Sequence, residues 1–302
     1  MITGVRGAGK TVLMTSIENE FRENEEWIVV DLNSDRNLLV SLASELTGKP
    51  DLFKIMKEAR INDSFLGFGV EIENQPPHLD VATVLDAILA ELTRKGKKVL
   101  ICIDEVVKNR QVIEFSSQFQ IFMRKKYNVF LLMTGLYQNI YQLQNEKSLT
   151  FLYRAPKIEM EPLSLRRIAR SYQDTFGLDS MEAAEMAKTT NGYPYAYQVL
   201  GYLTFRRGTS FRTVLSEFDD YLAEYVYEKI WSETSDLDHS ILRVMAHDHK
   251  SEVDAIRSEL GMDSNLFNVY RRRLLKKGIL VSPKYGRLEF ALPRFDLFIE
   301  SL

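Results

Sequence analysis

Cysteine is almost absent: of 302 residues only Cys102 is one, and it sits inside an apolar run. A disulfide framework is therefore excluded, and a reducing cytosol is the expected home. Histidine is scarce as well, at positions 78, 239, 247 and 249. Neither His247 nor His249 has a cysteine or carboxylate at a purposeful ligand spacing, so solvated histidines are expected rather than a metal site. Long apolar runs are missing too. Although 45% of the residues are hydrophobic, no stretch approaches the roughly 20 residues that a membrane helix needs. No signal-like segment precedes the first motif. Charge of one sign is not in excess: the formal net charge is -3, which argues against wholesale coating of nucleic acid or anionic membrane but leaves room for a local basic patch. There is no repeat and no low-complexity tract. The length supports two or three domains with a real core.

What is present begins at once. Residues 4–11 read Gly4-Val5-Arg6-Gly7-Ala8-Gly9-Lys10-Thr11, which satisfies the phosphate-binding loop pattern G-x-x-x-x-G-K-[ST]. Glycines let the backbone turn tightly so that its N–H groups converge on phosphate. Lys10 is placed to reach the β- and γ-phosphates, and the Thr11 hydroxyl to sit on Mg²⁺. A helix over 10–21, with Val12, Leu13, Ile17 and Phe21 as its apolar residues, would aim the positive end of its dipole at the same phosphates. Only three residues stand before Gly4, fewer than a strand feeding such a loop normally has. A missing upstream segment is the favoured expectation.

Further along, apolar runs and helical periodicities alternate. Strands are expected at 26–32, 99–103, 129–133 and 157–160, and helices at 33–47, 52–60, 80–95, 112–126, 136–144 and 148–153. Residues 64–73 read as a hairpin or loop insertion, closed by Pro76-Pro77. Such alternation implies a parallel sheet covered on both faces. From residue 163 the pattern becomes wholly helical, with helices at 165–176, 181–190, 194–206 and 211–233.

The strand at 99–103 runs into Asp104-Glu105. Acids at a strand's carboxyl end lie on the edge where open α/β sheets bind ligands. Asp104 is the expected holder of Mg²⁺, and Glu105 the group that orients or deprotonates water. Thr134 ends the neighbouring strand with a hydroxyl at the same edge. It is either a partner for water or γ-phosphate, or an ordinary turn residue before Gly135.

Residues 4–11, the Ile103-Asp104-Glu105 ending and the Leu132-Met133-Thr134-Gly135 strand together resemble the AAA+ superfamily. More narrowly they resemble the STAND and archaeal-type ATPases, cousins of the origin-recognition ATPases. The resemblance implies an α/β P-loop NTPase core with helices on both faces of a parallel sheet, followed by an all-helical lid. It implies ATP with Mg²⁺ as the bound species, Thr134 at the sensor 1 position, and ATP rather than GTP. Asn191-Gly192-Tyr193-Pro194 resembles the G-x-P signature that opens a lid helix, which adds Pro194 to the cofactor-binding residues Gly4, Val5, Arg6, Gly7, Ala8, Gly9, Lys10, Thr11 and Val12. Arg154 stands where the superfamily often carries an arginine finger, which implies a homo-oligomer; the alternative is a surface arginine at a helix end. Arg6 or Arg166 is a further candidate source of positive charge.

The last 70 residues carry helices at 236–247, 251–260 and 265–277, the last with Ser264 as its N-cap, and a hairpin from 279–282 and 287–292 around Pro283-Lys284-Tyr285-Gly286. That order resembles a winged helix-turn-helix. From Lys250 to Leu302 there are ten Lys/Arg against seven Asp/Glu, a net of +3. Arg271, Arg272, Arg273, Lys276 and Lys277 lie on the third helix, with Lys284 and Arg287 on the hairpin. Asn265, Asn268, Arg271, Arg272 and Lys284 are the candidate DNA contacts; a protein-binding winged helix with a solvated basic face is the alternative.

Three domains follow: an ATPase core over 1–162, a lid over 163–232 and a winged helix over 233–302. The expected function is a cytoplasmic, slowly hydrolysing ATP switch whose nucleotide state controls the winged helix, acting on DNA or a protein partner. The alternatives are a non-hydrolysing nucleotide-binding DNA regulator, and an ATPase resembling a replication initiator or helicase loader.

Overall fold

The computed structural model describes residues 1–49 and 81–302. The helix expected at 52–60, the insertion at 64–73, Pro76-Pro77 and His78 lie outside the described residues. The chain divides into two compact units, one of Met1–Thr3 and Lys10–Glu159, the other of Gly4–Gly9 and Met160–Leu302.

The first unit is built on β1 (Ile2–Thr3), β2 (Trp27–Leu32), β3 (Lys98–Ile103), β4 (Val129–Gly135) and β5 (Ile158–Glu159). Their order is β2-β3-β4-β1-β5, and every pairing is parallel. Parallel neighbours need crossovers. Helices α1 (Lys10–Arg22), α2 (Leu38–Thr47), α3 (Val81–Arg94), α4 (Arg110–Arg124), α5 (Tyr137–Gln144) and α6 (Thr150–Tyr153) lie between the strands in sequence. Successive strand side chains point to opposite faces. Ile28, Val30, Leu32, Val99, Ile101 and Ile103 join one buried cluster with residues of α2, α3 and α4. Their neighbours Val29, Leu100 and Cys102 join Met14 of α1 in another. Both faces are covered, which is why β3 is apolar nearly throughout.

Local capping moved several helix starts. The helix expected from residue 33 begins at Leu38. Asn33 instead closes a turn, its side chain accepting from the Asp35 N–H at 2.9 Å, and Asn37 caps the helix by accepting from the Val40 N–H at 3.1 Å. Asn109 likewise starts α4 two residues early. In α1 the buried positions are Lys10, Met14 and Glu18, spaced by four on one face. Val12, one of the apolar residues of this helix, is 74% exposed.

The second unit contains α7 (Leu165–Phe176), α8 (Ser180–Thr189), α9 (Pro194–Arg207), α10 (Leu215–Leu222), α11 (Glu228–Ser232), α12 (Asp236–His247), α13 (Val253–Glu259), α14 (Ser264–Lys276), β6 (Leu280–Val281), β7 (Glu289–Phe290) and α15 (Phe295–Glu300). One buried cluster runs from Ile168 to Ile299. The helix expected unbroken over 211–233 is segmented by a 3-10 turn at Phe211–Val214 and a π-helical turn at Ala223–Tyr227. The π turn carries Tyr227, which is buried with its hydroxyl donating to the Pro293 carbonyl and its ring edge-on to Phe295 at 4.8 Å. Asp263, not Ser264, caps α14, accepting from the N–H groups of Asn265 at 2.8 Å and Leu266 at 3.0 Å. The hairpin strands are shorter than expected. Beside them Glu252 bridges Arg287, and the Leu288 N–H donates to the Ser251 carbonyl at 2.8 Å.

Candidate functional site

Register builds the site. Ile103 of β3 pairs with Met133 of β4, so the next residues, Asp104 and Thr134, emerge side by side at the carboxyl edge. Thr11 arrives in the first turn of α1. Its hydroxyl donates to Asp104 Oδ2 at 2.7 Å, and the Thr134 hydroxyl donates to Asp104 Oδ1. The Glu105 N–H reaches Asp104 Oδ1 at 2.9 Å and Thr134 Oγ1 at 3.2 Å, while the Val106 N–H donates to the Thr134 carbonyl at 2.9 Å. Thr134 and Lys10 are buried. Glu105 has φ of 49°, the left-handed region that a residue with Cβ seldom occupies. The bonds on either side hold it there, and such held backbones gather at functional sites. Its side chain is exposed.

The donor set suits Mg²⁺. With Mg–O bonds of about 2.0–2.1 Å in octahedral geometry, adjacent ligands lie about 2.9 Å apart. Thr11 Oγ1 and Asp104 Oδ2 are 2.7 Å apart, so an ion could take both oxygens with little movement. Both are hard oxygen donors, and one carries charge.

The glycine loop, Gly4–Gly9, clusters with the second unit. Gly7 and Gly9 have φ of 71° and 83°, conformations that favour glycine. The Ala8 N–H closes the turn onto the Val5 carbonyl at 3.2 Å. The Tyr193 hydroxyl donates to the Arg6 carbonyl, and the Tyr195 N–H to the Gly7 carbonyl at 3.2 Å. Burial, then the neighbouring Tyr195, pushes the Tyr193 phenol up, so it stays a donor at neutral pH. Pro194 is the first residue of α9, reached through Asn191 and Gly192 at φ of 47° and 74°. Arg6 clasps Glu233 in a two-point pair, Nη2 to Oε1 at 2.7 Å and Nε to Oε2 at 3.3 Å.

Arg154 is exposed at the C-cap of α6 and is not among the partners of Asp104, Thr11 or Thr134. Val12 points to solvent, one residue beyond Thr11.

On α14 the exposed residues include Asn265, Asn268, Arg272 and Lys276, together with Leu266 and Val269. Lys284 is exposed on the hairpin. Arg271 is half-buried, and its Nε has no hydrogen-bond partner among the described residues. Arg273 and Lys277 depart from the expected basic face. Both turn to Asp238, which is 0% exposed: Arg273 Nη2 lies 2.6 Å from Oδ2 and Lys277 Nζ 3.9 Å from it. Burial lowers the Lys277 ammonium below its ordinary value, against the pull of Asp238. Asp238 also closes a capping box with Ser235 at the start of α12. His239, expected to be solvated, is half-buried; it stacks on Trp231 at 3.7 Å.

Sequence reasoning missed Glu233, Tyr195 and Asp238. Ser235-Asp236-Leu237-Asp238 resembled a capping box and could have been read; nothing local marked the Arg6–Glu233 pair. It also missed a polar group beneath α1. Glu18, Asp31 and Cys102 lie within 4.8 Å of one another, and Arg22 Nη2 pairs with Asp31 at 2.5 Å. Burial first, then the hydrogen bond and charge of Asp31, raises Glu18. Glu18 Oε1 is buried with no hydrogen-bond partner among the described residues.

A family described as a domain of unknown function (DUF8462) matches residues 224–299. No curated protein matches the sequence. Among solved structures, the chain is similar to a Walker-type ATPase of Pyrococcus abyssi, at 17% identity and a TM-score of 0.66, covering 99% of this chain and 90% of that one. It is also similar to the ORC2 protein of Aeropyrum pernix in its ADPNP–ADP complexes, at 13% identity and a TM-score of 0.60, covering 100% and 86%. No helix among the described residues is long and apolar enough to cross a membrane. With its parallel five-stranded sheet and these two likenesses, the chain has the α/β P-loop NTPase fold of those two proteins.

Proposed function

We propose that the protein binds ATP with Mg²⁺ and hydrolyses it slowly, and that nucleotide state governs its C-terminal module. The observation that carries this reading is the Thr11–Asp104–Thr134 cluster, in which one carboxylate accepts from two hydroxyls and an amide. The loop N–H groups and Lys10 would hold the phosphates, and Thr11 and Asp104 the metal. The metal supplies charge neutralisation at the phosphates. Glu105, exposed next to Asp104, is the residue for orienting or deprotonating water, and Thr134 fixes the backbone that carries it. Residues 1–162 act as the core, 163–232 as the lid and 233–302 as a winged helix. Arg154 is left as a finger toward a neighbouring copy.

Output through DNA is supported by Asn265, Asn268, Arg272 and Lys284, all exposed. A protein partner is the second reading, favoured by Leu266 and by Val269, which is 62% exposed on the same helix. Phosphate release by wild type, Lys10→Ala and Glu105→Gln proteins, with and without duplex DNA, tests the whole reading. Glu105→Gln is expected to lose at least about a hundredfold, as for a general base, and Lys10→Ala to be inactive. Equal release by wild type and Glu105→Gln defeats the hydrolytic role. Release that ignores DNA, together with no gel shift, leaves the protein-partner output.

A further inference from the structure

The glycine loop is held from outside by the unit it clusters with. Two consecutive carbonyls, of Arg6 and Gly7, accept from Tyr193 and Tyr195. A Cβ on Gly7 would lie 2.1 Å from the Tyr193 hydroxyl, so loop and tyrosine are fitted to each other. The Arg6 guanidinium, meanwhile, is turned onto Glu233. Glu233 is in turn joined to the C-terminal module: its carbonyl accepts from Lys277 Nζ at 2.9 Å, at the end of α14. A Cβ on Gly278, the next residue, would meet the Val5 side chain at 3.5 Å. One acidic residue therefore connects a side chain of the phosphate loop to the helix that carries Asn265, Asn268 and Arg272.

We infer that Arg6 is a phosphate-sensing residue and that Glu233 is its competitor. The inference rests on the nucleotide-binding reading above. A triphosphate brings several negative charges to the loop that contains Arg6. Phosphate oxygens and the Glu233 carboxylate are alternative planar-fork partners for one guanidinium. When phosphate takes Arg6, Glu233 loses its two-point partner and keeps only Lys229 at 3.8 Å, and the Lys277 contact at the base of α14 loosens with it. Coupling of this kind is reciprocal. Whatever weakens the Arg6–Glu233 pair strengthens nucleotide binding, and nucleotide weakens the hold on the C-terminal module.

Arg6 and Glu233 side chains are 31% and 35% exposed, so the effect is that of a partly screened pair, about two- to fivefold in affinity. The test is titration of fluorescent ATP, ADP and AMP analogues into wild type, Glu233→Gln, Arg6→Gln and Lys10→Ala proteins, with hydrogen exchange followed over α11 and α14. Glu233→Gln is expected to bind the triphosphate about two- to fivefold tighter, the diphosphate less so and the monophosphate unchanged. In wild type, ATP is expected to speed exchange at residues 229–233 and 273–278, and in Arg6→Gln to leave it unchanged. A merely structural Glu233 would instead weaken all three nucleotides equally. Wild-type binding that is abolished in Lys10→Ala yet unchanged or weakened in Glu233→Gln overturns the inference alone. No wild-type binding, or binding that Lys10→Ala retains, overturns the nucleotide reading and the inference with it.

Discussion

Asp238 gives the sharpest quantitative expectation. It is fully buried, pairs with Arg273 and Lys277, and caps α12 through Ser235. Asp238→Asn keeps the shape and one acceptor but removes the charge. Breaking a fully buried pair by deleting one partner costs about 3–5 kcal/mol. Arg273 is 37% exposed and can turn to water, so that range must be discounted for solvent screening. Loss near 2–3 kcal/mol, about half the full value, is expected. A unit of about 150 residues shifts by about 2–4 °C per kcal/mol, so its melting temperature should fall by about 4–12 °C. Differential scanning fluorimetry on the full chain, beside Arg272→Ala as an exposed control within about 0.5 kcal/mol of wild type, reads this directly. Asp238→Asn melting within about 1 °C of wild type would refute the reasoning.

The remaining expectations concern other parts of the molecule. Glu18 is raised above the ordinary value of 4.5, so the folded state holds its proton more tightly than the unfolded state, and stability falls as pH rises from that value through the folded one. Glu18→Gln should therefore gain on wild type in urea melts as pH increases from about 4 to about 8; a constant difference across that range contradicts a raised Glu18 carboxyl. Gly192→Ala should destabilise, because its Cβ would sit 2.6 Å from the Leu163 carbonyl at φ of 74°; circular-dichroism melts showing no loss would contradict that geometry. If the C-terminal module binds duplex DNA, the cations left exposed are few. The log–log salt slope should then be shallow, about -3 for three phosphate contacts, and a slope of -6 or steeper would place Arg273 and Lys277 on the DNA after all.

The sequence disclosed those features that are local. The phosphate loop, the apolar strand ending in Asp104 and the strand ending in Thr134 each carry their own pattern, and parallel register then brings Thr11, Asp104 and Thr134 together across 93 and 30 residues. Cap identity was less legible: Asn33, Asn37, Asp263 and Ser264 are all good N-caps by type, and only the chain's path selects Asn37 and Asp263. The π turn at Ala223–Tyr227 was invisible because helical periodicity survives one inserted residue, and the bond its Tyr227 makes, to the Pro293 carbonyl, reaches 66 positions away. Charge was the least legible. Arg272 and Arg273 are adjacent in a basic run, yet one faces solvent and the other a buried acid 35 positions back, and no composition count separates them. The Arg6–Glu233 pair spans 227 residues and leaves no local trace.

The most direct measurement of the central claim is the magnesium dependence of nucleotide binding. A fluorescent ATP analogue is titrated into wild type and Asp104→Asn proteins with Mg²⁺ and with EDTA. If Thr11 and Asp104 share the ion, wild type binds more tightly with Mg²⁺, and Asp104→Asn binds with the same affinity in both. Wild-type affinity indifferent to Mg²⁺, or a magnesium effect fully preserved in Asp104→Asn, would contradict it.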